Sequence, residues 1–331
     1  MALDDTFNIT RPGQQGATGA VNALHVQEYS DEVEATLARK SALDGWIKVD
    51  TVTGTSTINN FSVGESTLQK VVPGVTPDGT VNKFGKASLA VDTIVLARSV
   101  FPLLEDFQTK YNARMEVARE HGKKIAKFWD QSFFIQAIKA GLLTSTNQLG
   151  QDAASGFKGG SQKVLASAAD ALDSAKLYSA VVDLLVQFEK KDVDPLTDDV
   201  MLVVRPDEYA VLEQNELLID RNYITSEGNS IQARVLKARG VPVINSNNFP
   251  GSEVITGHYL SNASNGNAYD GDFSKVVAAA FSPRALLAGQ TIPLTTKVHY
   301  SDVQLQWFVD AYLSYAVGPN RPEFAGVILK P

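Results

Sequence analysis

Cysteine is missing from all 331 residues, so disulfides, thiolate zinc sites, iron–sulfur clusters and cysteine nucleophiles are excluded together. Long apolar runs are missing as well; none approaches the ~20 residues that a membrane helix requires. Positive charge is in deficit, because 30 basic residues face 37 acidic ones and the formal net charge is −7. A tight, sequence-blind nucleic-acid binder draws affinity from phosphate neutralisation and is expected to be basic. This acidic chain instead suits a protein that lies beside nucleic acid without sticking to it. The opening "MALDDTFNIT" places Asp4 and Asp5 where a secretion signal needs positive charge, so a cytosol-like compartment is expected.

Catalytic motifs are equally scarce. His25, His121, His258 and His299 have no histidine partner at metal-site spacing, and each reads as an ordinary surface or packed histidine. The stretch "GTVNKFGKA" puts five residues between its glycines where a phosphate-cradling loop needs four, and ends in Ala87 without a hydroxyl for magnesium. Asp270 and Asp272 lack the later glutamate of a calcium loop and read as part of a solvated turn. There is no G-x-S-x-G or G-x-G-x-x-G. Asp198 with Asp199, and Glu105 with Asp106, sit at element boundaries, where capping explains them.

What is present is a pattern of elements. With 44% apolar and 20% charged residues, the chain has the composition of an ordinary globular protein. Residues 1–28 read as an arm, followed by a short helix with Ser30 as N-cap. The β-branched "WIKVDTVTGTSTINNFSV" and the alternating "KASLAVDTIVLARSV" (86–100) predict strands around a tip of about 20 residues (64–85), too long for an ordinary turn. The stretch reads either as a floppy surface loop or, more sharply, as a long β-arm that reaches for a partner.

Apolar positions at three- and four-residue steps predict a helix over 105–142, with Lys110, Arg114, Lys123, Lys124 and Lys127 opposite. Gly122 can kink it and Gly141 can cap it. A helix of that length, ~57 Å, reads as a girder. A Gly/Ser/Gln/Ala linker (about 145–169) precedes a second helix from Asp170 to Lys190, with Leu177, Val181, Leu184, Leu185 and Phe188 on one side. A buried strand (200–204), a helix opened by Pro206, strands at 241–245 and 275–281 and a polar loop between them complete an α/β unit. From about 290 the chain is extended again, with Val303, Leu305, Trp307 and Val309 in alternation. The α/β unit is therefore read as an insertion between parts of a first domain.

The ending "YLSYAVGPNRPEFAGVIL" resembles the C-terminal signature of major capsid proteins of short-tailed, podovirus-type (Autographiviridae-like) phages. The matching positions are Tyr315, Ala316, Gly318, Arg321, Pro322, Glu323, Ala325 and Gly326. "ALHVQEYSDEVEATLARKS" is similar to that family's N-arm helix, "STINNFSVGESTLQKVVPGVTPDG" to its extended loop, and "VDTIVLARSVFPLLEDF" to the strand entering its spine helix.

The resemblance implies an α+β chain with the Hong Kong 97-type capsid fold: N-arm with short helix (1–45), extended β-hairpin or E-loop (46–100), peripheral domain with a long spine helix (101–160), inserted axial α/β domain (161–285), and a return to the peripheral sheet (286–331). It implies a head protein that self-assembles into hexamers and pentamers of an icosahedral shell around double-stranded DNA, held without sequence specificity. Implied partners are scaffolding protein, portal protein, and decoration or tail proteins. No cofactor, no catalysis and no membrane are implied, and the location is the virion after assembly in the host cytoplasm. Lys70, Lys83, Lys86, Arg321 and Glu323 are the candidates for contacts between subunits. Some capsids of this fold join a loop lysine to a neighbour's asparagine, a bond that podovirus-type relatives generally do without. The rival readings are an encapsulin-type compartment shell and a soluble α/β enzyme.

Overall fold

The computed structural model describes residues 32–33, 36, 41, 43, 45–63, 66, 68–74, 76, 79, 84–102, 113–144, 158–215, 219–220 and 235–331. The expected arm, Ser30, His25, Lys83 and Lys110 lie outside them. The strands and helices in chain order are β1 (Val49–Thr51), β2 (Thr57–Val63), β3 (Phe84–Ala90), β4 (Val95–Pro102), α1 (Ala113–Leu142), β5 (Ser161–Val164), α2 (Ser174–Glu189), β6 (Met201–Val204), α3 (Pro206–Glu213), β7 (Ile219–Asp220), β8 (Val235–Ala238), β9 (Val241–Asn245), β10 (Val254–Ile255), β11 (Gly271–Asp272), β12 (Val276–Phe281), β13 (Leu286–Ser301), β14 (Gln306–Pro319) and β15 (Ala325–Leu329). The chain divides into two compact units. The first holds Met1–Asp44, Ile94–Trp129 and Ile292–Ser314; the second holds Gly45–Thr93, Asp130–Thr291 and Tyr315–Pro331.

In the first unit β4 runs antiparallel to β14, and Arg98 lies directly across from Asp310. Arg98 donates to both oxygens of that buried carboxylate, at 2.7 and 2.8 Å, and its guanidinium rests on the Phe308 ring. Ser99 Oγ lies 2.9 Å from His121 Nε2, which ties β4 to α1. The helix runs unbroken through Gly122. A Cβ there would lie 2.7 Å from Thr36 Cβ, so the glycine permits close approach of the segment at Val33–Thr36. The expected alternation through Val303 and Leu305 is also corrected. Residues 302–305 form the tip of the β13–β14 hairpin, Leu305 is left-handed (φ 49°) and Val303 is 94% exposed. Alternation alone cannot separate a strand from a tip that carries apolar side chains.

The second unit is built on a seven-stranded mixed sheet in the order β5-β15-β12-β6-β9-β8-β7. Strands β12 (VVAAAF) and β6 (MLVV) are buried at every position, the pattern of central strands covered on both faces. The last strand, expected in the sheet that follows residue 286, instead pairs with β12 and β5. Its continuous apolar run Ala-Gly-Val-Ile-Leu needs two covered faces, and this sheet supplies them. A Cβ on Gly326 would meet Leu184 and Phe188 of α2, whereas Gly141 of α1 faces Val327. Neighbouring strand residues point to opposite faces, so α2 and the end of α1 sandwich β15. Gly141 is thus a packing glycine inside the last helical turn, and not a cap.

The C-terminal half of α1 departs from the expected one-sided stripe. Phe133, Phe134, Ile135, Ala137, Ile138 and Ala140 are all buried, along with Asp130, Ser132 and Gln136, so this half is enclosed on all sides. Its polar groups are matched: Asp130 accepts from Asn248 Nδ2, Ser132 bonds Tyr315, and Gln136 donates to the Ala268 carbonyl. The second helix begins later than expected. Ser167 and Asp170 close a capping box on a short 3-10 turn, and Asp173 then caps α2. Leu177, Val181, Leu184, Leu185 and Phe188 are all buried, as the spacing predicts.

The polar loop at 257–270 is a structured element. Asp270 accepts from the amides of Gly257 and His258 and from Ser261 Oγ. Desolvation opposes these donors, yet together they hold its carboxyl below the usual value. The expected solvated turn is therefore corrected for Asp270. Lys139 of α1 donates to the carbonyls of Ala268 and Asp270, both at 2.7 Å, and Tyr269 exchanges hydrogen bonds with the Val317 backbone. His258 stacks on Tyr269 at 5.2 Å, and burial pushes its imidazole down to about 4.

Two measurements follow. Phe281 is fully buried against Trp46 and Phe134, so Phe281→Ala should cost about 3–5 kcal/mol in urea unfolding. The folded chain excludes a proton at His258 that the unfolded chain binds below its ordinary 6.5. That stability is intact above pH 6.5 and is lost as pH falls towards about 4, by up to ~3 kcal/mol. His258→Asn should flatten the stability profile across this window, with His121, also lowered by burial, retaining part of the slope.

Candidate functional site

The β2–β3 hairpin is a feature of the second unit with one face left open among the described residues. The strands pair antiparallel with Ile58 opposite Leu89, Phe61 opposite Lys86 and Val63 opposite Phe84. Alternation gives the ribbon two distinct faces. Ile58, Asn60, Ala87 and Leu89 turn inward, whereas Phe61, Val63 and Phe84 are 58–70% exposed. Beyond the strands Leu68, Val71 and Val72 are exposed as well. The hairpin ends where Val91 donates to Ser56 O, and β4 starts only at Val95. The alternating 86–100 stretch is thus two strands, broken where the chain leaves its hairpin partner.

The inward face sits on the body at three places. Ile58 and Leu89 pack on a small core of Val52, Val91 and Ala316. Ile58 approaches Gly289 so closely that a Cβ there would lie 2.0 Å from Ile58 Cδ1. Asn60 Nδ2 donates to Asn320 Oδ1 at 2.7 Å, and the Asn320 amide donates to Ala285 O. At the far end of β3, Asp92 accepts from Asn262 Nδ2 (2.9 Å), Ser264 Oγ (2.7 Å) and the Thr93 hydroxyl. Desolvation again works the other way, but these donors hold Asp92 below the usual carboxylate value. A cleft of about 610 Å³ lies alongside, lined by Leu89, Asp92, Gln136, Leu260, Tyr269 and Val317 among others.

The sequence candidates fall into two groups. Lys70 is exposed in the segment beyond β2, Lys86 lies over the Phe61 ring at 5.9 Å, and Lys83 is outside the described residues. Arg321 and Glu323 pair with each other at 2.5 Å, and Arg321 and Arg284 flank the ring of Phe324. The structure does not bring the loop lysines to this ion pair in any hydrogen bond or salt bridge it records among the described residues. What joins the hairpin to the C-terminal loop is Asn320, between Pro319 and Arg321. The roles of Asn60, Asp92, Asn262 and Ser264 were not legible in the sequence, because their partners lie more than 160 positions away. The NASN run at 262–265 was the one available signal, as a cluster of short amide and hydroxyl side chains.

Chemistry is thin elsewhere. Among the described residues, no group of three or more His, Asp or Glu side chains could hold a metal ion, and no helix is long and apolar enough to cross a membrane.

Comparisons place this architecture. The structure is similar to the capsid of the cyanophage P-SCSP1u, with a TM-score of 0.73 at 18% identity over 88% of each chain. It is similar to the mature capsid of bacteriophage PhiM1, with a TM-score of 0.71 at 22% identity over 88% of this chain and 87% of that one. A weaker likeness, TM-score 0.54 at 11% identity over 92% and 99%, is to a virus-like particle from Pyrococcus furiosus. No curated protein matches the sequence. The family model described as "Phage capsid protein" matches residues 80–328, well over half of the chain. The chain therefore belongs to the phage capsid protein family, and it is a major capsid protein that forms the virion shell.

Proposed function

We propose that this is the major capsid protein of a short-tailed, podovirus-type (Autographiviridae-like) phage, assembled in the host cytoplasm into hexamers and pentamers of an icosahedral shell. The observation that supports the reading best is the hairpin: a built seat on one face, and on the other an apolar face left exposed among the described residues. In this reading residues 46–100 are the E-loop, 1–45 the N-arm, 101–160 the peripheral domain with its spine helix, 161–285 the axial domain, and 286–331 the return segment. The returning strands β13 and β14 suit that last assignment, while β15 serves the axial sheet.

Each contact between subunits is modest, and closed symmetry repeats it many times. Lys70, Lys83, Lys86, Arg321 and Glu323 are the polar candidates at those contacts. Scaffolding protein guides closure, a portal occupies one vertex, and decoration or tail proteins add from outside. The net charge of −7 keeps packaged double-stranded DNA from binding the wall tightly. The chain carries no catalytic role in this reading. The encapsulin-type alternative is less well supported, since the family model that matches residues 80–328 describes phage capsid proteins.

Negative-stain microscopy of the expressed protein, with and without scaffolding protein, tests this directly. Capsomers, sheets or shells are expected; monodisperse small oligomers under every condition would contradict it. Deleting residues 66–82 should leave a folded subunit that cannot close a shell. Normal shells from that deletion would remove the hairpin tip from the assembly mechanism.

A further inference from the structure

A two-stranded arm needs its inclination fixed, because a small rotation at the base moves everything beyond it. Val63 lies about 17 Å past Ile58 at ~3.4 Å per residue. The β2 side of the base is fixed by Ile58 over Gly289 and by the Asn60–Asn320 bond. On the β3 side the hairpin ends at Ala90, and its exit passes through Asp92.

From this we infer that Asn262 and Ser264 are positioning residues for assembly: through Asp92 they set the angle at which the hairpin leaves the body. The 257–270 loop qualifies as a fixed point because it is itself immobilised from three directions. Lys139 and Gln136 of α1 hold the Ala268 carbonyl, Tyr269 locks to the Val317 backbone, and Asp270 gathers Gly257, His258 and Ser261. Inside the loop, Asn265 accepts from the Asn262 and Ala268 amides and donates to Leu260 O, which holds Asn262 in place. Asn262 Nδ2 then reaches both Asp92 and the Thr93 hydroxyl, and Ser264 Oγ takes the same Asp92 oxygen. The contact is exposed, so its contribution to overall stability is small. Its geometry is nonetheless set by a rigid partner on one side and a long lever on the other. A loop that carries no chemistry of its own thus has a use: it is the stop against which the arm rests.

The inference rests on the shell reading for its consequence but can be measured in the free subunit. The chain lacks cysteine, so Val63→Cys with Lys275→Cys gives two clean spin-label sites, one on the arm and one on the body. Double electron–electron resonance of the unassembled subunit should give one narrow distance distribution in this background. Adding Asn262→Ala and Ser264→Ala should make it roughly twice as wide, as hinge freedom is released. Asp92→Ala should do the same from the other side, and Ser264→Thr, which keeps the hydroxyl, should stay narrow. Equal widths in all four, or a distribution already broad in the background, would overturn the proposal. In assembly, the double alanine variant should give shells of more scattered diameter than the parent, and identical diameters would equally count against it. Failure of the parent to assemble at all bears on the shell reading and leaves the resonance result to decide this one.

Discussion

A two-stranded ribbon has two faces, and the described residues of this chain cover one of them. In the β2–β3 hairpin the inner face packs on Val52, Val91 and Ala316, while Phe61, Val63 and Phe84 stand in solvent on the outer face. An isolated two-stranded ribbon is marginal in water, and burying three such side chains is worth several kcal/mol in total, at ~1.5–3 kcal/mol each when fully covered. In the proposed shell the subunit forgoes that gain by itself and recovers it beside another subunit. In that reading association follows from the strand alternation and adds to the stability of the arm.

In the same reading the body of the second unit holds the arm where a neighbour can use it. The seven-stranded sheet gives a stiff body, with β12 and β6 buried throughout and β15 clamped between α2 and the end of α1. From that body the C-terminal loop presents Asn320 to one strand of the arm, and the 257–270 loop presents Asn262 and Ser264 to the other. The prolines at 319 and 322 fix φ on either side of Asn320 and Arg321, so the loop holds its position at little entropic cost. The Arg321–Glu323 pair and the two guanidiniums on Phe324 keep this corner rigid.

Local signals were legible in the sequence and long-range ones were not. The paired strands around a long tip, the buried stripe from Leu177 to Phe188, and the Pro206 helix start follow from period and capping, which act over a few residues. The placement of β15 was misjudged, because pairing partners at such separation leave no local trace, although its unbroken apolar run indicated two covered faces. Gly122 and Gly141 show the same limit: each reads as a kink or cap locally, and each turns out to admit a distant segment. The seat of the arm leaves no mark in the sequence for a plainer reason. Single Asn, Ser and Asp side chains acquire meaning only from the atoms opposite them.

In the proposed shell a neighbouring subunit covers the outer face of the hairpin. Lys86 lies on that face, above Phe61, and the absence of native cysteine makes Lys86→Cys a unique labelling site. Maleimide modification should be fast in the free subunit and slower by at least about tenfold in assembled particles, as burial restricts access. Equal rates in the two states would show that the face stays open to solvent, and would contradict the account.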